Sequence, residues 1–157
     1  MTRKKFIEIL DKKRHRYEIV GNKIVVTAKE AVWGAVWLDS LKTIPPDVEF
    51  TNGGNVHLNS LKTLPPGVEF GNGGDVYLQS LETIPPGVGF NNGRDVDLRS
   101  LKTIPPDVKF ENGVDVRLDL LMGKWAGWFR DWSGNIEDIE PNRLFNKMIA
   151  DGLFDRR

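Results

Sequence analysis

Twenty residues separate Trp37 from His57, and twenty more separate His57 from Tyr77. An indole, an imidazole and a phenol at one fixed spacing suit recognition rather than turnover, because each joins a flat apolar body to a polar edge. The column continues with Asp97 and Arg117, and the column two residues on reads Asp39, Asn59, Gln79, Arg99 and Asp119. Catalysis finds less to work with. His15 and His57 lie in different zones of the chain, and with no cysteine there is no thiolate nucleophile. No H-E-x-x-H, P-loop or G-x-S-x-G pattern occurs. Asp95, Asp97 and Asp115 fall close enough in the period to suggest a cation. Yet Asp95 and Asp115 follow an Asn-Gly corner, where aspartate commonly stabilises a turn. The chain is read as non-enzymatic, with no cofactor and no metal.

These columns exist because the chain repeats. Residues 35–54, AVWLDSLKTIPPDVEFTNGG, recur as 55–74, 75–94 and 95–114, with a partial fifth copy over 115–121. A fixed period of this length means a solenoid, in which each unit buries its apolar side against the next. Within the first unit Val36 and Leu38 alternate with polar or variable residues, as do Val48 and Phe50, so each pair predicts a short strand with one face buried. Pro45-Pro46 sets one corner, since proline cannot continue a ladder. Asn52-Gly53-Gly54 sets the other, with positive φ as the expected reason for its glycines. Like strands should stack in parallel, about 4.8 Å apart.

Two polar columns are expected to be structural. Asn52, Asn72, Asn92 and Asn112 are in phase with the inward Val and Phe, so their amides should form a buried ladder bonding coil to coil. Ser40, Ser60, Ser80 and Ser100, with Thr43, Thr63, Thr83 and Thr103, are expected to satisfy backbone groups at the bends. Lys42, Lys62, Glu82 and Lys102 read as a solvated edge.

Both ends abandon the period. In 1–34, Thr2 can cap a helix through about Lys13 with Phe6, Ile9 and Leu10 on one face, and Gly21-Asn22 suits a hairpin turn between RYEIV and KIVVT. In 122–157, Trp125, Trp128, Phe129 and Trp132 supply aromatic cover, and a helix is expected from about Pro141, with Leu144, Phe145, Met148 and Ile149 as its stripe. The predicted fold is mainly β: a right-handed parallel β-solenoid over 35–121 between an α/β N-terminal cap and a Trp-rich, helical C-terminal cap.

The spacing of Leu41, Ile44, Pro45-Pro46, Val48, Phe50 and Asn52 resembles the shortest bacterial leucine-rich repeats. It is equally similar to bacterial and phage repeat proteins built from units of the SLTSLPPGVEFxNGGxVxL kind. Leu41 stands where the leucine-rich pattern has asparagine, which favours a straighter two-stranded solenoid over a curved horseshoe. The resemblance implies a protein-binding role, by analogy.

Composition sets the remaining bounds. Lys+Arg and Asp+Glu number 22 each, so no global field attracts nucleic acid or an anionic membrane. Residues 1–23 hold eight basic against three acidic side chains, while the four repeats hold ten acidic against six basic. The basic run Lys12–Arg16 makes nucleic-acid binding the third reading, behind protein binding and self-association. No long apolar run marks the N-terminus, and cysteine is absent, so a cytoplasmic protein without a membrane span is expected, as a monomer or homodimer. The scaffold columns hold constant while Trp37, His57, Tyr77, Arg99, Arg117, Asp39 and Gln79 vary, which marks them as the candidate partner-binding face. Occlusion of a protein partner, as by a phage-type inhibitor of a host system, is the expected mode.

Overall fold

Each twenty-residue unit forms one coil with two short strands, and the coils stack so that like strands pair. A computed structural model describes residues 1–27, 34–105 and 107–118. After the N-terminal helix α1 (Arg3–Lys12) come β1 (Tyr17–Val20) and β2 (Lys23–Val26). The first strands of successive coils are β3 (Val36–Trp37), β5 (Val56–His57), β7 (Val76–Tyr77), β9 (Val96–Asp97) and β11 (Val116–Arg117). The second strands are β4 (Val48–Phe50), β6 (Glu69–Phe70), β8 (Gly89–Phe90) and β10 (Lys109–Phe110). The first set makes a five-stranded parallel sheet; the second joins β2 and β1 in a six-stranded one, ordered β1-β2-β4-β6-β8-β10. The protein is a mainly-β parallel solenoid.

Register explains the core. Val36 pairs with Val56 and Val56 with Val76, while Phe50 pairs with Phe70, so each inward column stacks on itself. Phe50, Phe70, Phe90 and Phe110 are fully buried and form a ladder with ring centroids 5.4, 5.2 and 4.9 Å apart, tilted by no more than 5°. Those spacings follow the strand repeat, since every ring is a translated copy of its neighbour. Val, Leu and Ile from each coil fill the space between the two sheets.

At the N-terminal end α1 covers this core with Phe6 and Leu10, both fully buried. Thr2 caps it, its hydroxyl accepting from the Lys5 N–H, and Arg14 leaves the helix in the left-handed region at φ 58°. Strand β2 then pairs in parallel with β4, Val26 opposite Phe50, so the hairpin supplies the first rung of the larger sheet. Lys23 on this strand bridges the Glu49 and Glu69 carboxylates at 3.3 and 2.7 Å.

Two corner expectations are corrected. Gly53, Gly73, Gly93 and Gly113 do not take positive φ; a Cβ on Gly73 would lie 2.5 Å from the Gly53 carbonyl oxygen, and Gly93 and Gly113 face the same obstacle one coil back. Close approach of successive backbones, not handedness, demands glycine there. Positive φ appears instead after the Pro-Pro pair, at Asp47 (57°), Gly67 (75°) and Gly87 (81°). The bends between strands are closed by backbone, with Leu41, Leu61, Leu81 and Leu101 N–H groups donating three residues back at 3.0–3.2 Å. No hydroxyl of the Ser or Thr columns contributes among the described hydrogen bonds. The aromatic cluster at Trp125–Trp132, the helix from Pro141 and Asp119 lie outside the described residues.

Candidate binding face

The asparagine column is inward, as its phase requires. Asn52, Asn72, Asn92 and Asn112 are at most 2% exposed. Each amide nitrogen donates to a carbonyl of the preceding coil, Asn72 to Gly54 at 3.0 Å and Asn92 to Gly74 at 3.0 Å, and to carbonyls of its own corner. The bonding runs backward, to the coil before, rather than to the next. Three carbonyls converge on the Asn52, Asn72 and Asn92 amide groups, which have two hydrogens each, while their Oδ1 atoms find no protein partner. The column is a scaffold element closed to ligand.

Outside the five-stranded sheet the column of Trp37, His57 and Tyr77 forms a second ladder. The Trp37 and His57 rings lie 3.7 Å apart at 11°, and His57 and Tyr77 lie 4.7 Å apart at 21°. Trp37 and His57 lean closer than the strand spacing of about 4.8 Å demands, while His57 and Tyr77 stack at that spacing. Trp37 remains 55% exposed. Burial pushes the His57 imidazole below its ordinary value, against the pull of the Asp39 and Asp75 carboxylates. The imidazole is therefore neutral at physiological pH and presents an apolar face to its neighbours. Burial and the bond to Asp75 Oδ2 (3.0 Å) together raise the Tyr77 phenol.

Two rails of side-chain to backbone bonds flank this column. On one side Asn55 Oδ1 accepts the Asp75 N–H at 2.8 Å, Asp75 Oδ1 the Asp95 N–H at 3.1 Å, and Asp95 Oδ1 the Asp115 N–H at 3.0 Å. On the other, Asp39 Oδ1 accepts the Asn59 N–H at 3.0 Å and Asn59 Oδ1 the Gln79 N–H at 3.3 Å. Both rails use the acceptor oxygen that Asn and Asp share, so the residue type varies while the bond persists. Sequence reasoning expected Asp95 and Asp115 to stabilise their own turns; the Asp95 carboxylate instead accepts from the next coil, and the rails were missed. Their signal was a column restricted to Asn and Asp at 55, 75, 95 and 115.

Asp97 departs from expectation. Its place in the outward column predicts exposure, yet it is only 4% exposed. Gln79 donates to its Oδ2 at 3.2 Å, and Arg99 grips both its oxygens, with Nε to Oδ1 at 3.0 Å. Burial alone would raise this carboxyl; the Arg99 guanidinium outweighs it and holds the group below the usual range. The short Asp side chain folds down onto its neighbours and breaks the ring stack after Tyr77. A slot of about 120 Å³ remains, lined by Asp75, Val76, Tyr77, Asp95, Asp97 and Arg117.

The structure thus gathers Trp37, His57 and Tyr77 into one stack, ties Asp39, Gln79 and Arg99 into the scaffold beside it, and leaves Arg117 exposed at the far end. Among the described residues no group of three or more His, Asp or Glu side chains is placed to hold a metal ion, and no helix is long and apolar enough to cross a membrane. No protein-family model, curated protein or solved structure matches this chain.

Proposed function

We propose that this chain is a non-catalytic solenoid that binds a protein partner through the outward face of its five-stranded sheet, acting by occupancy. The observation that carries the reading is the Trp37–His57–Tyr77 stack. It places three amphipathic rings on the surface of a sheet whose two flanking rails hold the backbone rigid. Ordered aromatic area of this kind is what interface hot spots are made of, because rigid rings lose little entropy on binding. Steric occlusion of a host protein, in the manner of a phage-type inhibitor, is the specific form proposed for a cytoplasmic setting. The test is capture of partners from the native host by the intact protein and by a Trp37→Ala/Tyr77→Ala double variant. Equal recovery of the same partner with both proteins rejects the face.

A second reading, self-association, is favoured by one observation. Strand β1 ends the larger sheet, and its Ile19 and Val20 are 51% and 56% exposed. An apolar edge strand is a template for pairing with another copy. Light scattering settles it: a monomer at high concentration, unchanged by Ile19→Lys, rules this reading out. Nucleic-acid binding through Lys12–Arg16 ranks third; loss of salt-sensitive retention on heparin would remove it.

A further inference from the structure

We infer that the open end of the outer ladder seats an arginine side chain of the partner, its guanidinium laid flat on Trp37 and its charge met by the Asp39 carboxylate. This rests on the binding-face reading and adds the chemistry which that face selects.

Strand β3 ends the five-stranded sheet, so no strand of that sheet precedes Trp37. One face of its indole lies against His57 at 3.7 Å, and no other ring contact reaches it among the described residues. Trp37 is nonetheless 55% exposed, so the open area is its other face and its rim. The ladder stops on an unoccupied π face, where one more planar group would continue it.

Asp39 stands two residues on, in the column beside the ladder. Its Oδ1 accepts the Asn59 N–H at 3.0 Å, which holds the carboxylate at the flank of the stack, close enough to act on the His57 imidazole. Its Oδ2 makes no hydrogen bond and the group no ion pair among the described residues. The other carboxylate beside the stack is already committed. Asp75 accepts from the Asp95 N–H and the Tyr77 hydroxyl, and lies 3.8 Å from Arg94.

Charge then chooses the guest. The face of an indole and a carboxylate both attract a cation and both repel an anion. A neutral ring stacks as well, but it covers Asp39 without answering its charge. Among cations, a guanidinium is planar and weakly hydrated, and it stacks while donating in its own plane. An ammonium is a compact, strongly hydrated point charge that gains less from a flat surface. The wider field points the same way: the four repeats carry ten acidic against six basic side chains, which favours the approach of a basic partner.

The experiment titrates the intact protein with N-acetyl-argininamide at constant ionic strength, following the Trp37 indole N–H and the backbone amides by NMR. The indole resonance lost in Trp37→Ala assigns the first of these signals. Saturable shifts are expected at this indole and at the amides of residues 37–39 and 57, with a dissociation constant on the order of 10 mM. N-acetyl-citrullinamide keeps the shape of the probe and loses its charge, and should bind about fivefold more weakly or worse. N-acetyl-lysinamide should fall between the two. Asp39→Asn keeps the rail bond, since Asn59 makes the same one to Gln79, and removes the charge. It should weaken the arginine probe about three- to fivefold. Trp37→Ala, checked for a preserved spectrum, should abolish the shifts at residues 38 and 39. Absence of saturable shifts at residues 37–39 overturns the inference, as does equal affinity for the citrulline probe, tighter binding of the lysine probe, or an unchanged affinity in Asp39→Asn. The binding-face reading fails separately: it falls if partner capture survives loss of Trp37 and Tyr77, whatever the probes do.

Discussion

Two aromatic ladders run along this solenoid, one inside and one outside, and they obey different rules. The inner ladder has one residue type, Phe50, Phe70, Phe90 and Phe110, in near-parallel rings at the strand spacing. The outer ladder changes residue at every coil, from Trp37 to His57 to Tyr77, then breaks at Asp97. Inside, the two sheets fix the volume available to each ring, so any other size leaves a void or a clash. Outside, the column is not enclosed between two sheets, with Trp37 55% exposed, and the chain carries a different side chain at each level. Packing accounts for the column that stays the same. Packing does not account for the column that changes, and that column is the one proposed for recognition.

The largest test of that contrast is truncation. Phe70→Ala removes a ring that is 1% exposed, from the middle of the stack, and should cost about 3–5 kcal/mol. Tyr77→Ala, on the half-exposed outer ladder, should cost about 1 kcal/mol, the scale of an aromatic pair at a surface. Urea unfolding measures both. Equal costs would mean the outer ladder is also core, and the contrast would fail.

The asparagine column extends the comparison to a buried polar ladder. Asn72→Ala leaves the Gly54, Gly74 and Asp75 carbonyls without their side-chain donor. Each orphaned buried group costs about 1–3 kcal/mol, less where neighbouring backbone still serves it, so a loss of about 2–3 kcal/mol is expected. A loss below about 0.5 kcal/mol in the same urea experiment would remove the ladder from the scaffold.

Gly73 sharpens the contrast further, because it is exposed and yet the same in every copy. Its Cβ would meet the Gly53 carbonyl oxygen, which belongs to backbone and cannot swing aside. Gly73→Ala should cost about 1–3 kcal/mol by forcing the coils apart. Gly53→Ala, where a Cβ meets nothing within 4 Å, should cost less than about 0.5 kcal/mol. Both glycines are exposed, so the pair isolates the cost of coil spacing from any cost of burial.

That glycine also shows how far sequence could be read. The strands were legible because Val36, Leu38, Val48 and Phe50 alternate in a period that only a half-buried strand satisfies. The cap helix and hairpin were legible from Thr2 and Gly21-Asn22, which act locally. The Asn-Gly-Gly corner was readable as a corner but not as a close approach, since a glycine looks the same whether it supplies handedness or room. The left-handed position had its own signal in Asp47, Gly67 and Gly87, residue types tolerant of that backbone. Spacing put Trp37, His57 and Tyr77 on one line. It gave no sign that Arg99 and Gln79, two residues from the column, would draw Asp97 down and open the slot, because that depends on which side chains reach one another in three dimensions.

The smallest effect separates the ladders by chemistry rather than size. Only the outer one contains an ionisable ring. Folding buries the His57 imidazole between Trp37 and Tyr77 and lowers it from its ordinary value of 6.5. The unfolded chain therefore takes up this proton first, and its binding favours unfolding. The contribution of His57 to stability is complete above about pH 6.5 and is lost as pH falls through the folded-state value. Asp39 and Asp75 work against the loss, as does attraction between an imidazolium and the rings on either side, so the effect should be the least of those described here. His57→Phe keeps a ring in the stack and removes the titration. Its stability relative to the unsubstituted protein should rise between about pH 8 and about pH 5, while the cost of Phe70→Ala, where no proton is exchanged, stays level over the same range. Parallel pH profiles for the unsubstituted protein and His57→Phe would show that the imidazole is as well hydrated in the stack as in the unfolded chain. The outer rings would then touch without excluding water, and the face would lose the preorganised apolar surface on which the proposed recognition role depends.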